Sequence, residues 1–220
     1  MKRILLCELN VSEGRNKKTL DKITTTLESS PDIKVIDKDS EPNHNRSVYT
    51  FIGGPEAVLQ AAKNITDKAV ELIDMATHTG GHPRMGAVDV VPFVPIRGVE
   101  QEEALRVARS YGKYLGSKGI PVYYYEDAAT RPERRLLVDI RKGQYEALPE
   151  KMKDSAWRPD EGPFEFNAKS GATVTGVRFP LVAYNVNLRT DDMKVGEEIA
   201  RRMRFSTSTK IGRASCRERV

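Results

Sequence analysis

An α+β fold, a two-layer α/β sandwich with a mixed β-sheet and helices on one face, is predicted by three observations. Segments of alternating apolar residues and segments of helical period follow each other as βαββαβα. Turn-forming stretches such as Asn10 to Asn16, Gly53-Gly54-Pro55 and Met75 to Gly86 separate them. The chain of 220 residues is 39% hydrophobic and 30% charged, enough to bury a core and too apolar for disorder.

Ile4 to Leu9 alternates as a buried first strand, and Asn10 to Asn16 breaks it with turn residues. Lys17 to Ser29 carries Leu20, Ile23 and Leu27 at helical spacing, and Pro31 ends that helix. Ile33 to Asp39 reads as a second strand with Val35, Asp37 and Asp39 on one face. Ser40 to Arg46 is a polar loop, followed by a third strand over Ser47 to Ile52. Gly53-Gly54-Pro55 opens the longest helix, whose buried side holds Val58, Ala61, Ala62, Ile65, Ala69, Leu72 and Ile73. Met75 to Gly86 is a loop dense in glycine, histidine and proline. Val88 to Val94 is the next strand, Gln101 to Leu115 an amphipathic helix, Pro121 to Tyr125 a strand and Glu133 to Ile140 helical. Phe164 to Gly176 is small and polar with no helical period. Pro180 to Leu188 reads as a strand and Asp191 to Met203 as a helix. The leading βαββαβ order predicts a ferredoxin-like organisation.

Several classes fall away. No apolar run approaches the ~18 residues of a membrane helix. The run after Lys2-Arg3 ends at Glu8, too short for a signal-peptide core. Two cysteines, Cys7 and Cys216, make no disulfide framework or metal set, so a reducing cytoplasm is expected. The formal charge of +5 needs correction, because residues 211–220 resemble translated sequencing adapter. They hold three Arg and one Glu, and without them the charge is +3. The expected organisation is a domain over 1–178, the start of a second over 179–210, and an adapter tail over 211–220.

The histidines are His44, His78 and His82. His78 and His82 stand four apart, but Thr79-Gly80-Gly81 intervenes and Pro83 follows, so the helix a zinc-protease motif requires does not form. The loop suits presentation of one imidazole, with glycines permitting close approach, Pro83 fixing the chain and Arg84 adding a cation. A turn histidine without chemistry explains the same spacing equally. Asp37 and Asp39 could orient an imidazole or hold a substrate amine, or be solvated carboxylates at a strand end. Asn43, Asn45 and Arg46 could bind a carboxylate, and such a loop is as often merely hydrated. Gly53-Gly54-Pro55 lacks the phosphate-loop spacing and reads as a structural turn. Tyr123-Tyr124-Tyr125 alternates across a strand and reads as core.

Asn10-x-Ser12-Glu13-Gly14, Asp37-x-Asp39, Asn45-Arg-x-Val-Tyr-Thr-Phe51 and Leu72-Ile-Asp-Met75 resemble the glutamate formiminotransferase family. So do His78-x-Gly80-x-His82-Pro-Arg-Met-Gly-Ala87, Pro95-x-Arg97-Gly98 and Ser170-Gly-Ala-Thr173, in the same order and spacing. Cys7-Glu8-Leu9-Asn10 departs from the family's usual apolar residue and proline before the asparagine.

The resemblance implies two α/β subdomains with a substrate tunnel between them, this chain carrying the first and part of the second. It implies transfer of a formimino group between N-formiminoglutamate and tetrahydrofolate, the latter a co-substrate, in histidine degradation, with no metal. His82 would be the catalytic acid/base, and Asp39 is the carboxylate chosen to fix its tautomer. Asn10, Asn45, Arg46 and Arg84 would bind substrate, with the stretch Gly162 to Gly171, including Pro163, Phe164, Lys169 and Ser170, along the folate. A homodimer is expected when full length, with no nucleic acid or membrane partner. Glutamate formyl transfer at the same site, and a non-catalytic folate-binding or dimerisation module, remain alternatives. A basic RNA-binding domain would cluster its charges on one sheet face, whereas here they spread along helices.

Overall fold

A computed structural model describes residues 3–180 and 188–203 of the chain. Met1–Pro180 forms one compact unit, and the second, Leu181–Val220, includes the helix Met193–Met203. Residues 181–187 of the strand expected over Pro180 to Leu188, and the tail at 211–220, lie outside the described residues.

The first unit is built on a six-stranded mixed sheet. Its strands are β1 (Ile4–Val11), β2 (Ile33–Glu41), β3 (Arg46–Gly53), β4 (Val90–Arg97), β5 (Val122–Glu126) and β6 (Thr173–Val177), in spatial order β2-β3-β1-β4-β6-β5. The first four are antiparallel neighbours, the ferredoxin-like arrangement read from the element order. β6 and β5 extend that sheet in parallel, which requires crossover connections.

The helices are α1 (Lys17–Glu28), α2 (Pro55–Leu72) and α3 (Gln101–Ser117), then the short α4 (Leu137–Ile140) and α5 (Gln144–Lys151), and α6 (Met193–Met203) in the second unit. Leu20, Ile23 and Leu27 are buried, as their spacing demands. So are Val58, Ala61, Ala62, Ile65 and Ala69 of α2. These helices pack on one face of the sheet, against Leu5, Cys7, Leu9, Phe51, Phe93 and Tyr124. Neighbouring strand residues point the other way. There Val90, Tyr123, Tyr125 and Val174 form a second core with Ile140 of α4 and Leu148 of α5. The long helices thus lie on one face, and the β5–β6 connection covers half of the other. The half over β2, β3 and β1 carries Asp37, Asp39, Val48, Thr50, Glu8 and Asn10, all half-buried or exposed.

Four details differ from the sequence expectations. Ile36 bulges out of β2, so Val35 pairs with Phe51 while Asp37 pairs with Thr50. Asp37 and Asp39 therefore lie on the face opposite Val35. The helix expected over Glu133 to Ile140 is broken into a 3₁₀ turn, Pro132–Arg134, and α4. Arg135 gives its carbonyl to Glu126 N, and the fully buried Arg134 guanidinium reaches the Ala156 and Arg158 carbonyls, so this stretch is tied outward. β6 and α5 were hidden by small residues and by Pro149 inside α5. β4 runs over Val90–Arg97, and Val88, expected to open it, is joined to Val11 of β1 only by a lone antiparallel bridge.

Candidate active site

One end of the sheet gathers the chemistry-bearing segments. The C-terminal ends of β1 and β2 meet there with the N-terminal ends of β3, β4 and β6, so Asn10, Glu41, Arg46, Asp89 and Gly171 share that end. The histidine loop is zipped along the β2–β3 turn. Gly81 N donates to Asn43 O at 3.1 Å and His82 N to His44 O at 3.4 Å. A Cβ on Gly80 would sit 2.4 Å from His44 O, so only glycine permits this approach. Asn45, with φ +49°, accepts from Gly14 N at 2.9 Å and donates to Thr79 O at 2.8 Å. Its side chain is a staple between two loops.

His82 sits at the centre, its side chain 12% exposed. Its Nε2 is buried and stands 3.5 Å from Asp89 Oδ2, with no nearer partner among the described residues. Asp89 is fully buried; its Oδ1 accepts from Met85 N at 2.8 Å and its Oδ2 from Arg141. Burial alone would raise the Asp89 pKa, but Arg141, His82 and the Met85 amide outweigh it and hold the carboxyl below its usual value. Burial lowers the His82 pKa, Asp89 opposes that, and Arg141 and Arg46 reinforce it. The net direction is down, so the ring is a neutral base near pH 7.

The carboxylate beside His82 is therefore Asp89 and not Asp39. Asp39 stands exposed on β2 opposite Val48, where the bulge at Ile36 sets its face, and its charge bears on Arg46. Arg46 is half-buried, and its Nε is buried without a partner among the described residues. Arg84 is spent inside the protein. It donates to His78 Nδ1 at 3.2 Å and to His78 O at 3.1 Å, and pairs with both oxygens of Glu146 at 2.6 and 3.0 Å. Both ring nitrogens of His78 are engaged, since Nε2 meets Asn45 O at 3.1 Å, so neither is free for a metal. Asn10 donates from Nδ2 to Glu8 O at 3.1 Å and to Val90 O at 3.4 Å.

The Gly162 to Gly171 stretch runs along the same end of the sheet. Gly162, at φ +86°, lies against Ile120 O beside the start of β5. Pro163 follows it, and Phe164 is exposed, with the Arg158 guanidinium 5.0 Å from its ring centre. At the other end, Lys169 O accepts from Met75 N at 2.9 Å and Ser170 O from Ala87 N at 2.8 Å. Gly171, at φ +63°, lies where a Cβ would be 2.2 Å from Met85 O. Asp89 and Arg141 escaped the sequence reading. Asp89 left one signal, a carboxylate inside the apolar run Ala87 to Val94. Arg141 left none.

Residues 4–178 match the formiminotransferase domain, N-terminal subdomain. That span contains every candidate residue named above. The chain belongs to the formiminotransferase family. It is 42% identical over 207 residues to a glutamate formimidoyltransferase of Streptococcus pyogenes, covering 94% of this chain and 69% of that protein. It is 44% identical over 201 residues to one from Thermoplasma acidophilum, covering 90% and 66%. It is 47% identical over 189 residues to the mouse formimidoyltransferase-cyclodeaminase, covering 86% of this chain and 35% of that longer relative. The matched span thus places the formiminotransferase relationship on the unit that carries His82, Asp89 and Arg46.

Proposed function

We propose that the protein carrying this chain transfers a formimino group between N-formiminoglutamate and tetrahydrofolate, with His82 as acid/base. The observation that carries the reading is the mostly buried imidazole of His82, with Nε2 toward Asp89 and, nearby, the Arg46 Nε buried without a partner among the described residues. Membership of the formiminotransferase family supplies the substrate class.

The chemistry needs a group that takes one proton and gives it back. N5 of tetrahydrofolate attacks the formimino carbon, forming the new C–N bond. His82 accepts the N5 proton as the tetrahedral intermediate forms. The imidazolium then protonates the departing glutamate nitrogen, the old C–N bond breaks, and His82 returns to neutral. Asp89 stabilises the transient imidazolium. Arg46 suits a substrate carboxylate, and the 162–171 stretch suits the folate. Two features remain part of the proposal: a cytoplasmic setting, supported by the free buried Cys7, and a homodimer, which rests on the resemblance alone. No helix among the described residues is long and apolar enough to cross a membrane.

The test is a steady-state assay of His82→Ala in the complete protein with N-formiminoglutamate and tetrahydrofolate. A fall in kcat of about 10²–10⁴-fold is expected. Near-normal turnover rejects the reading.

A further inference from the structure

We infer that Asp89, clamped by Arg141, is a positioning residue that fixes His82 as its Nε2–H tautomer and makes Nδ1 the nitrogen that exchanges the proton with substrate. The second half rests on the proposed transferase reading, and the first half stands by itself.

The argument starts from what each group can donate. An ionised carboxylate only accepts, and a neutral imidazole carries one N–H. Asp89 Oδ1 is taken by the Met85 amide and Oδ2 by Arg141, so the carboxylate cannot swing away from the ring. The nitrogen facing it, Nε2, is the buried one and has no other partner among the described residues. That nitrogen gains by holding the proton, because an acceptor–acceptor contact at this range is unfavourable in a buried site. Nδ1 then carries the lone pair. Proton uptake and return both occur at Nδ1, and the Nε2–H never leaves.

Arg141 has a second consequence. A buried carboxylate alone beside an imidazole would pull a proton onto the ring and leave it charged at rest. Arg141 neutralises Asp89 first, through a direct ion pair, while His82 Nε2 stands 3.5 Å from the same carboxylate oxygen. The other groups facing the ring are Arg46 of β3 and, in the β2–β3 turn, His44, whose ring centre is 6.3 Å away and whose Nδ1 meets Glu41 at 2.8 Å. The base is thus kept neutral yet oriented.

The chain has three histidines, so long-range ¹H–¹⁵N spectra of the histidine-labelled 220-residue chain can read each tautomer directly. His82→Gln and His78→Gln assign the signals. His82 should appear as Nε2–H in the neutral form. Asp89→Asn should mix its tautomers and move its titration down by about one pH unit. Arg141→Met should move the titration up, the opposite direction, because an unclamped Asp89 then attracts the proton. The His78 signals, held by Arg84 and Asn45, report that each variant is folded. A generic loss of structure would not shift His82 in opposite directions while His78 stays fixed. An Nδ1–H tautomer for His82, or titrations unchanged in both variants, overturns the inference. These spectra do not depend on turnover, so an inactive complete protein would sink the transferase reading separately.

Discussion

Arg84 Nε lies 3.2 Å from Nδ1 of His78, and that contact fixes the protonation of the ring. A guanidinium can only donate, so Nδ1 must be the acceptor and Nε2 must carry the hydrogen. Nε2 is 3.1 Å from Asn45 O, which accepts it. The result is a chain from Glu146 through Arg84 and His78 to the β2–β3 turn, and the turn in turn holds His82 through His44 O. Arg84 therefore serves the loop's shape.

Arg84→Lys should destabilise the protein by about 1–3 kcal/mol, because a point charge cannot span His78 and Glu146 together. Glu146→Gln should cost under about 1 kcal/mol, since that side chain is 60% exposed and its pair is screened. Urea unfolding of the two variants checks the order. A larger loss in Glu146→Gln than in Arg84→Lys would contradict it.

Stability should fall as pH drops below about 6.5, the unperturbed histidine value. Burial lowers the folded-state pKa of both His78 and His82. The unfolded chain then binds protons before the folded one does, so the stabilisation present above 6.5 is lost as pH falls through the folded values. Denaturant titrations between pH 7.5 and 5.5 measure this, above the range where most carboxylates protonate. His78→Gln, which keeps a donor and an acceptor, should flatten the dependence. A profile as steep as the parent's would count against the neutral His78.

The first half of the fold was legible because its signals are local. Leu5, Cys7 and Leu9 alternate, and α1 to α3 carry stripes that only a helix can bury on one side. Thr173-Val-Thr-Gly-Val177 was not legible: five buried residues between two parallel strands show no alternation, and their small side chains suit a loop equally. The site divides the same way. His82 stood out by its glycine and proline neighbours. Asp39 was misplaced as its partner because a bulge at Ile36 is invisible in the pattern, and Arg141 comes from a segment 52 residues beyond Asp89.

Two glycines with the same backbone sign should behave differently on substitution by alanine. Gly119 has φ +78° and open space around a built Cβ, so Gly119→Ala should cost about 1–2 kcal/mol from the backbone alone. Gly171 has φ +63° and would place a Cβ 2.2 Å from Met85 O, where two backbones meet. Gly171→Ala should cost more and should weaken folate binding as well, because the 85–87 and 169–172 segments must part. Thermal unfolding and folate titration of both variants decide it, and equal losses would refute the close-approach argument.

Arg46 gives the sharpest separation of binding from stability. Its Nε is buried without a partner among the described residues, and burial lowers its pKa while Asp39 supports the charge. Such a donor carries a desolvation cost in the free protein that a bound carboxylate would offset. Arg46→Met keeps most of the side chain's bulk and removes the unpaired group. In the complete protein, KM for N-formiminoglutamate should rise about tenfold or more, as when a charge-assisted contact of about 1.5–3 kcal/mol is lost. The kcat should change only a few-fold, because the proton still passes through His82. Unfolding free energy should hold or rise. Arg46→Lys should recover part of the KM, since it restores charge without the two-pronged geometry. Unchanged KM together with lost stability would instead assign Arg46 to the architecture of β3.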